Sequence, residues 1–267
     1  MRDHQRVVEL YQYIIAIVGG LVAGVINTLA GNGSAITLTI LTEVLGLPPN
    51  VANGSNRVGI LFQSWSSTYA FNKGGKLPIQ RSLKFVLPSV IGALFGVWVA
   101  VTVSNEAFKQ VFSYLMIALL FVIIIKPKRW LRATDKDAKH SLVWIIPVYL
   151  ALGFYGGFIQ MGMGIFFLAS MVLLAKFDLV EGNAIKVFVV ACYTIFVLGI
   201  FSYRGLVDWQ AGGLIAIGQF TGAYFTAKYA SEYPNLNVWV YRILVAVVIF
   251  AIVKLFGLHT MVWELIQ

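Results

Sequence analysis

Two glycine turns, Gly31-Asn32-Gly33 and Gly162-Met163-Gly164, each stand directly ahead of an apolar segment of roughly 11 to 14 residues, too short to cross a bilayer easily. A helix that begins inside a membrane presents unpaired backbone N–H groups and the positive end of its dipole, and both attract an anion. Asn32, Gly33 and Ser34 form one such end; Gly162, Met163 and Gly164, with Gln160 just before them, form the other. The competing reading is a pair of tight turns without a ligand. It is weakened by the equivalent placement of the turns in two halves of the chain, because a broken helix at membrane depth persists only where it lines a cavity or is buried in protein.

A polar stretch, Asn53-Gly54-Ser55-Asn56-Arg57, opens an otherwise apolar segment. At helical spacing Asn53, Asn56 or Arg57, Ser64 and Thr68 share one face, with Gln63 and Ser67 beside it, and such a face avoids lipid. Arg57 costs about 2.5 to 3.5 kcal/mol at a helix centre on the insertion scale, so it needs an interior partner or water. Asn183 and Lys186 occupy the comparable stretch of the second half. A cation from each half near two positive helix ends makes a candidate anion site; the alternative is that both cations snorkel to the interface. Glu43, Asp178, Glu181 and Asp208 are the carboxylates that bear on proton coupling, and each also suits an interfacial or helix-capping role. His4, His140 and His259 read as solvated residues, Cys192 as a packing residue, and Trp130, Trp144, Trp209 and Trp239 as interfacial anchors. No metal site and no cofactor are expected.

The elements that must position these groups are membrane helices. Of 267 residues, 59% are hydrophobic and 12% charged, and the mean hydropathy is +0.83, far from the composition of a soluble globule. The apolar residues fall into ten runs, approximately Tyr11 to Ala30, Ser34 to Leu47, Val51 to Phe71, Ser82 to Val103, Ala107 to Ile125, Leu142 to Gln160, Ile165 to Ala175, Gly182 to Phe201, Trp209 to Tyr229 and Leu236 to Phe256. All but the second and seventh are long enough to span. The order long, short, long, long, long occurs twice. Aligning the two glycine turns brings Ala52 near Ala184, Gly75 opposite Gly205 and Gly92-Ala93 opposite Gly222-Ala223. The expected architecture is therefore all-α: a polytopic membrane helical bundle of two homologous repeats, each with four long helices and one short broken or re-entrant helix. Residues 1–125 form the first repeat, 126–141 a basic cytoplasmic linker and 142–267 the second repeat. Glycines four apart, Gly20/Gly24, Gly92/Gly96, Gly153/Gly157 and Gly218/Gly222, read as close helix packing.

The net charge of +9 is gathered in Lys73 to Lys84 and Lys126 to Lys139. That is the pattern of cytoplasmic loops, not of a nucleic-acid surface, so the 72–84 loop and the 126–140 linker are expected in the cytoplasm. The weaker charge around Arg204 and Asp208 favours inverted over parallel repeats.

Gly24, Gly31-Asn32-Gly33, Ala52-Asn53-Gly54-Ser55-Asn56, Gly75 with its basic loop, Gly92-Ala93 and their second-half counterparts together resemble the TauE/SafE family of sulfite exporters, from about Gly19 to Gly257. The chain departs from the glycine-rich family turns at Asn32, Ser34 and Met163. The resemblance implies a bacterial inner-membrane transporter of sulfite, thiosulfate or organosulfonates such as sulfoacetate, exporting by alternating access. Its expected partners are a small anion, the lipid bilayer and a coupling proton or sodium ion, with a homo-oligomer compatible and no nucleic acid. Asn32, Gly33, Ser34, Asn53, Ser55, Asn56, Arg57, Gln160, Gly162, Met163, Gly164, Asn183 and Lys186 are the expected substrate-binding residues. A passive anion channel fits the same pore chemistry. A membrane enzyme has less support, since no HExxH, GxSxG or Cys/His cluster is present.

Overall fold

The structure, a computed structural model, describes residues 10–108, 110, 111, 114 and 142–229, and the elements assigned among them are all helices. The basic linker, the tenth apolar run and most of the fifth lie outside the described residues, as do the three histidines.

α1 (Leu10–Leu29) ends at the first glycine turn, and α2 (Ser34–Thr39) follows, continuing as a wide turn over Ile40–Val44. α3 (Pro49–Lys73) starts ahead of the apolar run because proline at a first helical position gives up no hydrogen bond. α4 is Ile79–Thr102, α5 Leu142–Phe158 and α6 Met163–Leu173. α7 (Leu179–Tyr203) also starts early, because the Asp178 carboxylate accepts the Val180 and Glu181 N–H groups at 2.9 and 2.8 Å. α8 (Trp209–Tyr229) opens with the Ala211 N–H on Asp208 at 2.9 Å. Asp178 and Asp208 are thus helix caps.

α1, α4 and α7 are long and apolar enough to cross a bilayer unaided. α3 equals α7 in length at 25 residues, but its polar face lowers its hydropathy. Of the eight spans expected from segment length, two fall wholly or mostly outside the described residues, and besides α3, α5 (17 described residues) and α8 do not reach that length and apolarity.

Each short helix folds back on its predecessor. Gly33 lies against the Ala23 carbonyl, the Ile40 side chain against Gly19, and the Gln12 amide donates to the Val44 carbonyl at 2.9 Å, so α2 retraces α1. α6 retraces α5 likewise: Met163 packs on Gly156, while the Tyr149 ring is 5.1 Å from that of Phe167 and its hydroxyl accepts from Ser170 at 2.8 Å. α3 and α7 form the inner pair and run antiparallel. At one end the Arg57 guanidinium stands 5.7 Å from the Phe201 ring and Gly54 abuts the Leu206 carbonyl; at the other, Ala70 and Phe71 cluster with Ala184 and Val187. The turns at Gly75 and Gly205, each with φ +67°, therefore sit at opposite ends of this pair. The runs α1–α4 and α5–α8 enter from opposite sides.

α4 packs along α5, and α1 along α8, through the small-residue pairs. A side chain at Gly92 or Gly96 would meet backbone of α5, and one at Gly20 or Gly24 backbone of α8. Outward, α4 exposes Leu83, Leu87, Phe95 and Trp98, an apolar exterior that a bilayer covers.

Candidate functional site

The two breaks meet. The Gly164 N–H donates to the Gly31 carbonyl at 3.1 Å, and a Cβ on either glycine would strike the backbone of the other. Gly31 and Gly162 turn the chain with φ of +76° and +74°, values that glycine alone adopts freely. Gln160 takes φ +65° with a side chain attached, a conformation that costs about 1 to 2 kcal/mol and tends to collect at functional sites.

Neighbouring residues of α3 reach both breaks. Asn56 accepts from the Thr37 hydroxyl, in the first turn of α2, at 2.6 Å. Arg57 points to the end of α5: Nη1 donates to the Gly156 carbonyl at 2.6 Å and to Gln160 Oε1 at 3.0 Å, and Nη2 donates to the Gly157 carbonyl and Asn53 Oδ1, both at 3.1 Å. Asn53 Nδ2 adds a bond to the Phe158 carbonyl at 2.8 Å. The last carbonyls of a helix have no partner within it and carry the negative end of its dipole. Asn53 and Arg57, one turn apart, satisfy those of α5.

α7 serves α1 in the same way. Lys186 Nζ donates to the Asn27 carbonyl at 3.0 Å, the Thr28 carbonyl at 3.2 Å and Asn183 Oδ1 at 2.7 Å, while Asn183 Nδ2 reaches the Leu29 carbonyl at 3.4 Å. Each cation sits on the carbonyl end of a broken helix from the opposite run. Arg57 is 0% exposed and Lys186 2%, so neither snorkels, and their hydrogen-bond partners are all neutral oxygens. Positive charge buried against dipoles, with no carboxylate among its partners in the described residues, leaves the region electropositive.

Of the amides expected to be bare, three are occupied: the Gly33 N–H by Asn27 Oδ1 at 2.6 Å, the Met163 N–H by the Gln160 carbonyl at 3.2 Å and the Gly164 N–H by the Gly31 carbonyl at 3.1 Å. The groups left without partners are side chains. Near the breaks both polar atoms of Asn32, the Ser34 hydroxyl, Asn56 Nδ2 and Arg57 Nε are buried with no hydrogen bond, and Ser64, Thr68, Ser89, Thr194 and Gln219 carry such atoms elsewhere on the long helices. Interiors normally pair such groups, and at membrane depth each unpaired one costs several kcal/mol. Asn32, Ser34, Asn56 and Arg57 each supply a donor, and donors are what an oxyanion requires.

Of the other expected site residues, Gln160 joins this centre, its Oε1 shared between Arg57 and the Tyr193 hydroxyl at 2.7 Å. Gly33, Gly162 and Gly164 lie in the turns. Asn53, Asn183 and Lys186 hold the helix ends. Met163 is buried in the apolar cluster with Phe167 and Met171. Ser55 faces away: its hydroxyl donates to the Val51 carbonyl and accepts the Asp208 N–H, both at 2.8 Å. Sequence reasoning passed over Asn27, Thr37 and Tyr193. The signal for Asn27 was a carboxamide one turn before the Gly31 break in an otherwise oily helix, and for Tyr193 a hydroxyl in the middle of α7.

The family described as Sulfite exporter TauE/SafE matches residues 16–255. Among individual proteins, the chain is 30% identical over 214 residues to a "Probable membrane transporter protein ORF9" of a Sinorhizobium species, covering 80% of this chain and 81% of that one. It is 28% identical over 218 residues to a "Probable membrane transporter protein" of Haemophilus influenzae, covering 78% and 81%. A third relative, the "Probable membrane transporter protein YunE" of Bacillus subtilis, is 26% identical over 239 residues, covering 81% and 86%. No solved structure matches the chain.

Proposed function

From the premise that this chain belongs to the Sulfite exporter TauE/SafE family of membrane transporters, we propose that it exports small sulfur-containing anions by alternating access. The substrates are sulfite, thiosulfate or organosulfonates such as sulfoacetate. The observation that carries this reading is the set of buried, unpartnered donors on Asn32, Ser34, Asn56 and Arg57 beside the meeting point of the two helix breaks. A protein that leaves such groups unpaired at membrane depth loses stability unless a ligand answers them in the working cycle. An anion also balances the charge of Arg57 and Lys186, which have only neutral oxygen partners.

Residues 1–125 and 142–267 are homologous repeats in inverted orientation, joined by the linker at 126–141. This is supported by the equal lengths of α3 and α7, the matching φ of Gly31 and Gly162 and of Gly75 and Gly205, and the reciprocal capping of α1 and α5. With the basic 72–84 loop in the cytoplasm, the start of α1 at Leu10 lies at the outer face of the bacterial inner membrane.

The experiment is flux of radiolabelled sulfite in proteoliposomes under an imposed proton or sodium gradient. Uphill movement supports a coupled transporter. Movement only down the sulfite gradient makes the protein a channel, and no movement of sulfite, thiosulfate or sulfoacetate ends the proposal.

A further inference from the structure

Arg57 and Lys186 lie in comparable stretches of α3 and α7, yet their protons are committed differently. An ammonium has three N–H groups, and Lys186 directs its nitrogen to three acceptors, Asn183 Oδ1 at 2.7 Å and the Asn27 and Thr28 carbonyls at 3.0 and 3.2 Å. Nothing remains for a ligand unless one of those bonds breaks. A guanidinium has five. The Arg57 Nη groups are engaged, while Nε is buried without a partner.

What Lys186 grips is also informative. Asn27 receives Lys186 on its main-chain carbonyl, and its side chain accepts the Gly33 N–H at 2.6 Å while donating to Gln63 Oε1 at 3.2 Å. The hold on Asn27 is thereby passed to Gly33, which lies between Asn32 and Ser34. Those two residues carry unpartnered polar atoms.

We propose that Lys186 is a positioning residue that fixes the carbonyl end of α1, and through Asn27 the Gly31-Asn32-Gly33 turn, without touching the anion, whereas Arg57 clamps α5 and also presents its Nε–H to the anion. This division rests on the anion site proposed above and refines it. The two cations, each in the opening stretch of an inner helix, have different work.

The test uses the full chain in lipid nanodiscs with sulfite as the probe, comparing Lys186→Gln, Lys186→Arg, Asn183→Ala and Arg57→Lys. Hydrogen exchange over residues 26–36 reads the turn, sulfite binding reads affinity, and flux in proteoliposomes separates KM from maximal rate. Lys186→Gln and Asn183→Ala are expected to speed exchange over 26–36 by about tenfold and to lower maximal flux together, although Asn183→Ala keeps the cation. Lys186→Arg restores both. Arg57→Lys weakens sulfite binding about tenfold with 26–36 still protected. The assignment is overturned if Lys186→Gln costs as much affinity as Arg57→Lys while 26–36 stay protected, or if Asn183→Ala behaves as wild type. Should Lys186→Gln not fold, Asn183→Ala and Lys186→Arg decide the question by the same readouts. Wild-type protein that neither binds nor moves sulfite would instead count against the anion site, with the exchange comparison still reporting on the clamp.

Discussion

Four glycine-to-alanine changes separate backbone strain from contact between the breaks. At Gly75 φ is +67° and nothing lies within 4 Å of an added Cβ, so alanine costs only the left-handed strain, about 1 to 2 kcal/mol. Gly205 repeats that case at the other end of the inner pair. Gly164 lacks the positive φ, but its Cβ would enter the Gly31 backbone, an overpacking cost of about 1 to 3 kcal/mol. Forcing the tips apart also removes the Gly164–Gly31 hydrogen bond, worth about 0.5 to 1.5 kcal/mol. Gly31 combines positive φ with the same collision, so its alanine should cost about 2 to 5 kcal/mol. Thermal unfolding of purified protein and sulfite flux in proteoliposomes are the paired assays. Gly164→Ala should lose at least as much stability as Gly75→Ala, and only Gly164→Ala and Gly31→Ala should lose flux. If Gly164→Ala transports and unfolds like wild type, the breaks do not meet as described. If Gly75→Ala lowers flux as much as Gly164→Ala, general destabilisation explains both.

Asn32→Ala removes a buried amide that has no partner, so stability should hold or rise while sulfite affinity falls, a combination readable by thermal shift with and without sulfite. Asp178→Ala should cost about 0.5 to 2 kcal/mol through the lost cap on α7 and leave the proton dependence of flux unchanged; a changed dependence would make Asp178 a coupling site. Asn53→Ala strips the Phe158 carbonyl and one Arg57 N–H of their partner, so it should destabilise by about 1 to 3 kcal/mol and accelerate hydrogen exchange at the end of α5.

The short segments, the glycine turns and the polar face of α3 were legible in the sequence because they violate a local rule: an apolar run should be long enough to span, and an oily helix should not carry Asn53, Asn56 and Arg57 on one side. Helix starts were misjudged where apolarity was read alone, since Pro49 and Asp178 extend α3 and α7 into polar sequence. The roles of the cations were not legible, for a physical reason. Breaking a helix leaves bare N–H groups after the break and bare carbonyls before it, and reading only the first set makes every nearby cation look like an anion ligand. Arg57 meets Gly156 across a separation of 99 residues, and Lys186 meets Asn27 across 159. No spacing rule links such distant residues.

Any opening between the two runs must part something, and magnitudes indicate what yields first. Among the described residues the tips are joined by one backbone bond, Gly164 N–H to the Gly31 carbonyl, worth about 0.5 to 1.5 kcal/mol. The clamp of α3 on α5 has two bonds from Arg57 to the Gly156 and Gly157 carbonyls, one from Arg57 to Gln160 just past the helix end, and one from Asn53 to the Phe158 carbonyl, and hydrogen bonds to charged groups are each worth about 1.5 to 3 kcal/mol. Breaking it would also strand a guanidinium in the membrane interior without partners. The clamp of α7 on α1 is of the same kind. The breaks can therefore separate while each stays locked to a long helix of the other run. A moving α3 would carry the end of α5 with it, and a moving α7 the end of α1, so any pieces that slide would be crosswise pairs and not the two halves as they follow in sequence. Disulfide cross-linking of α3 to α5 in a Cys192→Ser background should then leave sulfite flux intact, while cross-linking across the tips should abolish it. Flux lost on locking α3 to α5 would mean that the clamp itself opens during the cycle.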